Sequence, residues 1–293
     1  MKNIILLYGL ILLLFSCNES VDYPSLQNNI EKIIKSEKGK FAIAFKNLED
    51  GQVILINEME EFHAASTMKT PVMIEAFKKS FENKISLDDT ILVKNEFISI
   101  VDGSLFKLSS FDDSDKKTYE RIGGHLSLRE LIYEMITISS NFATNLVIDY
   151  IGHEDINKTM RDLGAKDINV LRGVEDIKAY NKGLNNTTTA LDLLKIYENL
   201  ALGRVINTKL SQKMVDILKD QKYDDIIPKY LPKEIEIAHK DGWVSGTRHD
   251  SGIVFINDEK KYVLVLLSKN LEDEIKGADI LAKVSLEIYN SLI

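Results

Sequence analysis

The chain has 293 residues, 44% of them hydrophobic and 28% charged, with a formal net charge of −8 at pH 7. That acidic balance includes no basic block, which argues against a nucleic-acid partner. The single cysteine excludes a disulfide within one copy. Histidines at 63, 125, 153, 239 and 249 show no H-x-H or H-E-x-x-H pairing, so neither a metal nor another cofactor is expected.

The first residues read as an export signal. Lys2 supplies the charge, residues 4–15 form an apolar run too short for a comfortable span, and Leu14-Phe15-Ser16-Cys17 has the lipobox form. Residues 1–16 are expected to be a lipoprotein signal, Cys17 the lipidated residue and 17–24 a tether. The mature protein is then expected in the periplasm or at the cell surface, held to a membrane through lipid on Cys17. No later apolar run is long enough to span a bilayer, and the remainder suffices for one large or two interlocked domains.

After the tether, Ser25 caps a helix whose Leu26, Ile30, Ile33 and Ile34 face inward. Residues 41–45 and 53–56 flank Asp50-Gly51 as a hairpin. Ser66 then opens a helix traced by Met68, Val72, Met73, Ala76 and Phe77. Residues 83–124 show only short apolar pieces, broken by Asp102-Gly103 and by an acidic run at 112–115 that reads as a solvated loop. Ser127 and Glu130 form a capping box for a helix carrying Leu128, Leu131, Ile132, Met135 and Ile136. A break at Ser139-Ser140-Asn141 precedes a second helix that Gly152 ends. Thr189 and Asp192 open a helix reaching Leu202, and another covers about 210–219. Residues 235–239, 251–256 and 262–268 read as strands, the last two a hairpin, before a final amphipathic helix through Ile280, Val284, Ile288 and Leu292.

Two strands at the start and three at the end predict an α/β (α+β) fold. Both chain ends build a five-stranded antiparallel sheet flanked by helices, beside an all-helical lobe. The division is 25–62 with 220–293 for the sheet lobe and 63–219 for the helical lobe, with the site between them.

Four stretches carry candidate chemistry. Three residues apart on a helix, Ser66 and Lys69 share a face, and a partly buried lysine can take the proton that makes a serine nucleophilic. An N-cap serine before a surface lysine has the same pattern. Ser139-Ser140-Asn141 can point a hydroxyl and an amide out of the inter-helix turn, or simply cap the next helix. Lys240-Asp241-Gly242 ends a strand, where a lysine can enter a cleft, or merely sit at an edge before a turn. Glu175, in the loop Arg172-Gly173-Val174-Glu175-Asp176, offers a carboxylate able to activate water, or a solvated loop side chain.

In this order, S-x-x-K, S-x-N, a loop Glu and K-x-G, the chain resembles the class A β-lactamases and related penicillin-recognising serine hydrolases over nearly its whole mature length. The resemblance extends to residues 135–146 and to Asn186-Thr187-Thr188-Thr189-Ala190. It implies Ser66 as nucleophile, Lys69 as its proton acceptor, and Ser139 as relay to the leaving nitrogen. It also implies Asn141 as holder of the substrate amide, Lys240 as anchor for a substrate carboxylate, and Glu175 as activator of water. Backbone N–H groups of Ser66 and Trp243, one past Gly242, would form the oxyanion hole.

Three departures stand out. Ser140 replaces the family's aspartate, Glu175 is followed by Asp176-Ile177-Lys178-Ala179 in place of x-x-Leu-Asn, and Asp241 replaces the hydroxyl of K-T-G or K-S-G. Like charges ~4 Å apart repel by about 1 kcal/mol in water and about 4 kcal/mol near a protein surface, so Asp241 bears directly on substrate choice. The expected activity is hydrolysis of a small-molecule β-lactam through an acyl-Ser66 intermediate, by a monomer. A D-Ala-D-Ala peptidase, or another cell-wall amide or ester hydrolase acting on peptidoglycan stem peptides, is the alternative enzyme. A module that acylates without turnover is the third reading, although a sensor of that kind normally needs a spanning helix.

Overall fold

The computed structural model describes residues 21–257 and 259–293, so Cys17 and the signal expected at 1–16 lie outside it. The first helix, α1 (Tyr23–Ile34), is capped by Asp22 and not by Ser25. The Asp22 carboxylate accepts the Ser25 N–H at 3.1 Å, and Pro24 fits the first turn, where no N–H is needed. The hairpin β1 (Lys40–Asn47) and β2 (Val53–Ile56) turns at Asp50-Gly51 as expected. Next come β3 (Phe62–His63), a 3₁₀ turn at Ala65–Met68, and α2 (Lys69–Phe81).

The segment up to the capping box holds short pieces: β4 (Thr90–Leu92), β5 (Phe97–Ile98), β6 (Leu105–Phe106), α3 (Lys116–Tyr119) and β7 (His125–Ser127). The acidic run before α3 is not simply solvated. Asp115 caps α3, and Asp113 is buried, its Oδ2 accepting the Phe142 N–H at 2.8 Å. Helices α4 (Leu128–Thr137) and α5 (Asn141–Ile151) flank the predicted break, with the capping box formed and Gly152 ending α5. Then follow α6 (Glu154–Asp162), α7 (Ile177–Asn181), β8 (Thr187–Thr188), α8 (Ala190–Ala201) and α9 (Thr208–Lys219). No sequence expectation covered α6, because it buries only Ile156, Thr159 and Met160 among charged neighbours.

The chain returns through β9 (Glu236–Val244), β10 (Thr247–Phe255) and β11 (Lys261–Lys269) to α10 (Glu274–Leu292). The antiparallel sheet has the order β2-β1-β11-β10-β9, built by both ends of the chain. Its two faces are both buried. Phe41, Ile43, Phe45, Leu264 and Leu266 pack towards α1 and α10, while Ala42, Ala44, Val263, Val265 and Leu267 join the core of the helical region. The alanines leave room for α8, which crosses β1, β10 and β11. Coverage on both faces explains why these strands read as unbroken apolar runs.

Two strands run well past their sequence readings at one end, β10 starting at Thr247 and β9 ending late. β9 runs to Val244, so Lys240-Asp241-Gly242 lies inside it, opposite Ser251, Asp250 and His249 of β10. Ladder hydrogen bonds are backbone bonds, so a polar stretch can extend a strand without an apolar pattern to announce it. As the last strand in the sheet, β9 turns its free edge towards the Ala65–Met68 turn.

Candidate active site

Ser66 does not open a regular helix; it lies in the 3₁₀ turn, half-buried, immediately after Ala65, whose φ is +46°. That left-handed residue turns the chain sharply between β3 and α2 and brings Ser66 to the surface of a cleft. Lys69 is the first residue of α2 and is fully buried. Its Nζ donates to Ser139 O at 2.6 Å, Ser139 Oγ at 3.2 Å and Asn141 Oδ1 at 2.8 Å. Among the described residues none of its hydrogen bonds goes to Ser66. Burial pushes its pKa down to about 7, and the Lys240 charge adds to that, against opposing pulls from Asp241, Asp113 and Glu175.

Ser139 occupies the α4–α5 break with φ +56°, while Ser140 caps α5 through the Ala143 N–H at 3.0 Å. The Ser139 hydroxyl also receives Lys240 Nζ at 3.0 Å, so it lies between two lysines. Glu175 has φ +60°. Of seven non-glycine residues with positive φ among those described, three are asparagines, which tolerate it; Ala65, Ser139 and Glu175 all belong to this cleft. Such positions cost about 1–3 kcal/mol each and persist only where the surroundings fix them.

Glu175 Oε1 accepts Asn141 Nδ2 at 2.7 Å. Its loop is clamped by Asn145, which accepts the Val174 N–H at 2.7 Å and donates to Val174 O at 2.9 Å. The clamp explains Gly173: a Cβ there would fall 2.3 Å from Asn145 Oδ1. Asp176 caps α7 and takes Ser99 Oγ and the Ile100 N–H, each at 3.0 Å, tying the loop to the β5–β6 turn. Burial raises the Glu175 pKa, the Asn141 bond opposes it, and the Asp113 and Asp112 charges add to it.

On the opposite wall, Lys240 is fully buried. Its ammonium donates to Ser139 Oγ, to Asp241 O at 3.3 Å and, in a very short contact, to Asp241 Oδ1. Gly242 presses on the 3₁₀ turn, since a Cβ there would lie 3.1 Å from Thr67 Cγ2 and 3.3 Å from Ala65 Cβ. Trp243 is 63% exposed, its indole N–H donating to Glu274 at 2.5 Å. Two hollows meet at Ser66. One, of about 540 Å³, is walled by Ser139, Asp241, Asp225 and Arg248; the other, of about 370 Å³, by Val174, Glu175, Tyr180 and Val244, with Asn141 and Trp243 lining both. Both lie in the range of small-molecule sites.

All nine cleft candidates therefore converge: Ser66, Lys69, Ser139, Asn141, Glu175, Lys240, Asp241, Gly242 and Trp243. Sequence reasoning missed Asp113, Asn145, Asp225 and Arg248. Only Asn145 carried a usable signal, its i+4 spacing from Asn141 placing both amides on one helix face. Among the described residues no group of three His, Cys, Asp or Glu side chains is placed to hold a metal, and no helix is long and apolar enough to cross a membrane.

Residues 25–292 match the model of the beta-lactamase enzyme family. The chain is 23% identical over 277 residues to beta-lactamase BRO-1 of Moraxella catarrhalis, spanning 90% of this chain and 84% of that one. Its identity to beta-lactamase CTX-M-97 of Escherichia coli is 26% over 263 residues, or 88% and 86% of the two chains. Among solved structures, the TLA-1 extended-spectrum beta-lactamase has the same fold, with a TM-score of 0.81 at 20% identity over 92% of this chain and 98% of that one. PBP-A gives 0.78 at 23% identity over 91% and 95%, and a PBP-A variant is known as an acyl-enzyme complex with penicillin G.

Proposed function

The chain belongs to the beta-lactamase enzyme family, and within it we propose an exported class A-type hydrolase that opens β-lactam amides through an acyl-Ser66 intermediate. The observation that carries this is the buried Lys69, its pKa near 7, one helical turn from Ser66 and bonded to both Ser139 and Asn141. A neutral Lys69 amine accepts the Ser66 proton as Oγ attacks the amide carbonyl. Backbone N–H groups of Ser66 and Trp243 take the developing oxyanion. Ser139, between Lys69 and Lys240, passes its proton to the departing nitrogen and is reprotonated from the lysine side. Asn141 orients the substrate amide. Glu175, bonded through one oxygen to Asn141, uses the other to take a proton from the water that attacks the acyl ester. Two bases for two steps follow from Lys69 and Glu175 standing on either side of Asn141, which bonds both.

Relatives named beta-lactamases support the β-lactam substrate. The Lys240–Asp241 pair favours the second reading, a cell-wall amide or ester hydrolase with another natural substrate. Export and a lipid anchor on Cys17 remain part of this proposal; the lipobox residues support them. The test is incubation with a chromogenic cephalosporin, a fluorescent penicillin and a D-Ala-D-Ala peptide, following turnover and covalent labelling together. Cephalosporin turnover with a transient Ser66 adduct is expected. Peptide cleavage without β-lactam turnover would replace the first reading with the second, and a permanent adduct would make the protein a binding module.

A further inference from the structure

Two cations stand at the hollow beside Asp241, Lys240 buried behind its wall and Arg248 lining it, and each is already paired with a carboxylate of the protein. A lysine ammonium has three N–H donors. Those of Lys240 go to Ser139 Oγ, Asp241 O and Asp241 Oδ1, leaving none for a ligand. Lys240 is also fully buried, and it is Asp241, not Lys240, that lines the hollow. Arg248, on β10 opposite Trp243, points its guanidinium at Asp225 in a very short ion pair, and both residues line the same hollow. Its Nε is buried without a partner, and Asp225 is the one carboxylate in ion-pair contact with the guanidinium among the described residues, with the Glu274 and Asp250 charges acting on it from further off. Asp112 and Asp224 line this hollow too, while Lys222 is its one further cation. A substrate carboxylate entering here would have to displace two internal carboxylates and then face them.

We propose that Asp225 and Asp241 are specificity-determining residues which select, at this end of the cleft, a substrate whose group carries no carboxylate: an ester, an amide or an amine. The inference rests on the hydrolase reading above and narrows its substrate class. Asp225 acts through Arg248, masking the guanidinium much as Asp241 masks Lys240.

The test compares benzylpenicillin with its methyl ester, the same amide with and without the charge. In the wild type kcat/KM for acylation favours the ester. Asp225→Asn frees Arg248, and the acid-to-ester ratio of kcat/KM rises roughly 10- to 100-fold, the Coulomb range for one partly exposed pair. Asp225→Glu keeps the wild-type ratio, and adding Arg248→Gln to Asp225→Asn returns the ratio towards wild type. A ratio unchanged by Asp225→Asn, or a wild type that prefers the free acid, overturns the inference while leaving the hydrolase intact. Failure of both compounds to acylate Ser66 removes the hydrolase reading itself, and this inference with it.

Discussion

The two walls of the cleft are wired by different forces. On the Glu175 wall the positioning bonds run mostly from amides and are not ion pairs: Asn141 to Glu175, Asn145 to the Val174 backbone, Asn186 to Leu171 and Arg172. On the β9 wall they are ionic: Lys240 with Asp241, Arg248 with Asp225, His239 with Asp250. Amide wiring holds the Glu175 carboxylate by Oε1 and leaves Oε2 without a protein hydrogen bond among the described residues. Ionic wiring consumes the charges that would otherwise reach a ligand. Under the proposed function, the first wall would serve chemistry on any acyl group and the second would discriminate between substrates.

The deepest cut acts on what both walls share. Ser66→Ala is expected to abolish covalent labelling by every acylating ligand and to lower turnover by ~10⁴-fold or more, since nucleophile and base act as a unit. In the intact enzyme the acylation rate should rise with pH through about 7, as Lys69 loses its proton. An adduct found by intact mass spectrometry in Ser66→Ala would dismiss the central assignment.

Glu175→Gln separates the walls. It should slow deacylation by ~10²–10⁴-fold, the usual contribution of a general base, while acylation persists and the acyl-enzyme accumulates. Because burial raises the Glu175 pKa, deacylation should fail in acid at a higher pH than an exposed glutamate would allow. Single-turnover kinetics with both steps unchanged would take Glu175 out of the mechanism and leave Lys69 or Ser139 to serve twice.

The same contrast decides what could be read from the sequence. The sheet, α2, α4, α5 and α8 were legible because local pattern and tertiary burial agree there: Leu131, Ile132, Met135 and Ile136 are apolar where the core needs them. The candidate catalytic groups were legible as an ordered motif and not as geometry, since nothing local announces positive φ at Ala65, Ser139 or Glu175. The continuation of β9 through Lys240, and the burial of Asp113, were illegible for one reason. A charged residue reads as solvated until its distant partner is known, and Ser139 and Phe142 are those partners.

Asp241→Thr attacks the second wall. It removes the carboxylate masking Lys240 and supplies a hydroxyl, so kcat/KM for carboxylate-bearing penicillins or cephalosporins should rise roughly 10- to 1,000-fold, about 1–4 kcal/mol. Substrates lacking that carboxylate should gain little or lose. Steady-state kinetics showing β-lactam turnover unchanged or worse would mean that Asp241 does not mask Lys240, and the contrast between the walls would weaken.

The smallest expected effect lies behind the second wall and is read in stability. His239, next to Lys240 and buried, donates from Nδ1 to Asp250 Oδ1 at 2.9 Å and faces Asp224 at 3.7 Å. Asp250 in turn takes the Ile227 N–H at 3.0 Å, fastening the segment that carries Asp224 and Asp225 to the sheet. Burial alone would lower the His239 pKa, but the Asp250 charge, the nearby Asp224 carboxylate, the Asp250 hydrogen bond and the Asp241 charge outweigh it and push it up to about 9. A pKa raised on folding means that stabilisation is full below the unfolded value of about 6.5 and is lost as pH climbs through 9. With the Asp224 share screened by solvent, the loss should be about 1–2 kcal/mol. Lys69 pulls the other way: its lowered pKa makes stability rise with pH from about 7 to its ordinary 10.5. The wild-type curve therefore mixes two opposed slopes, and the clean measurement is the difference from His239→Gln in urea unfolding between pH 6 and 10. That variant should lose the His239 slope and keep the Lys69 one, so between about pH 7 and 9 its stability rises with pH where the two slopes of the wild type offset each other. Parallel curves would show that His239 is neutral in the folded protein, and that hydrogen bonds without charge hold this part of the wall.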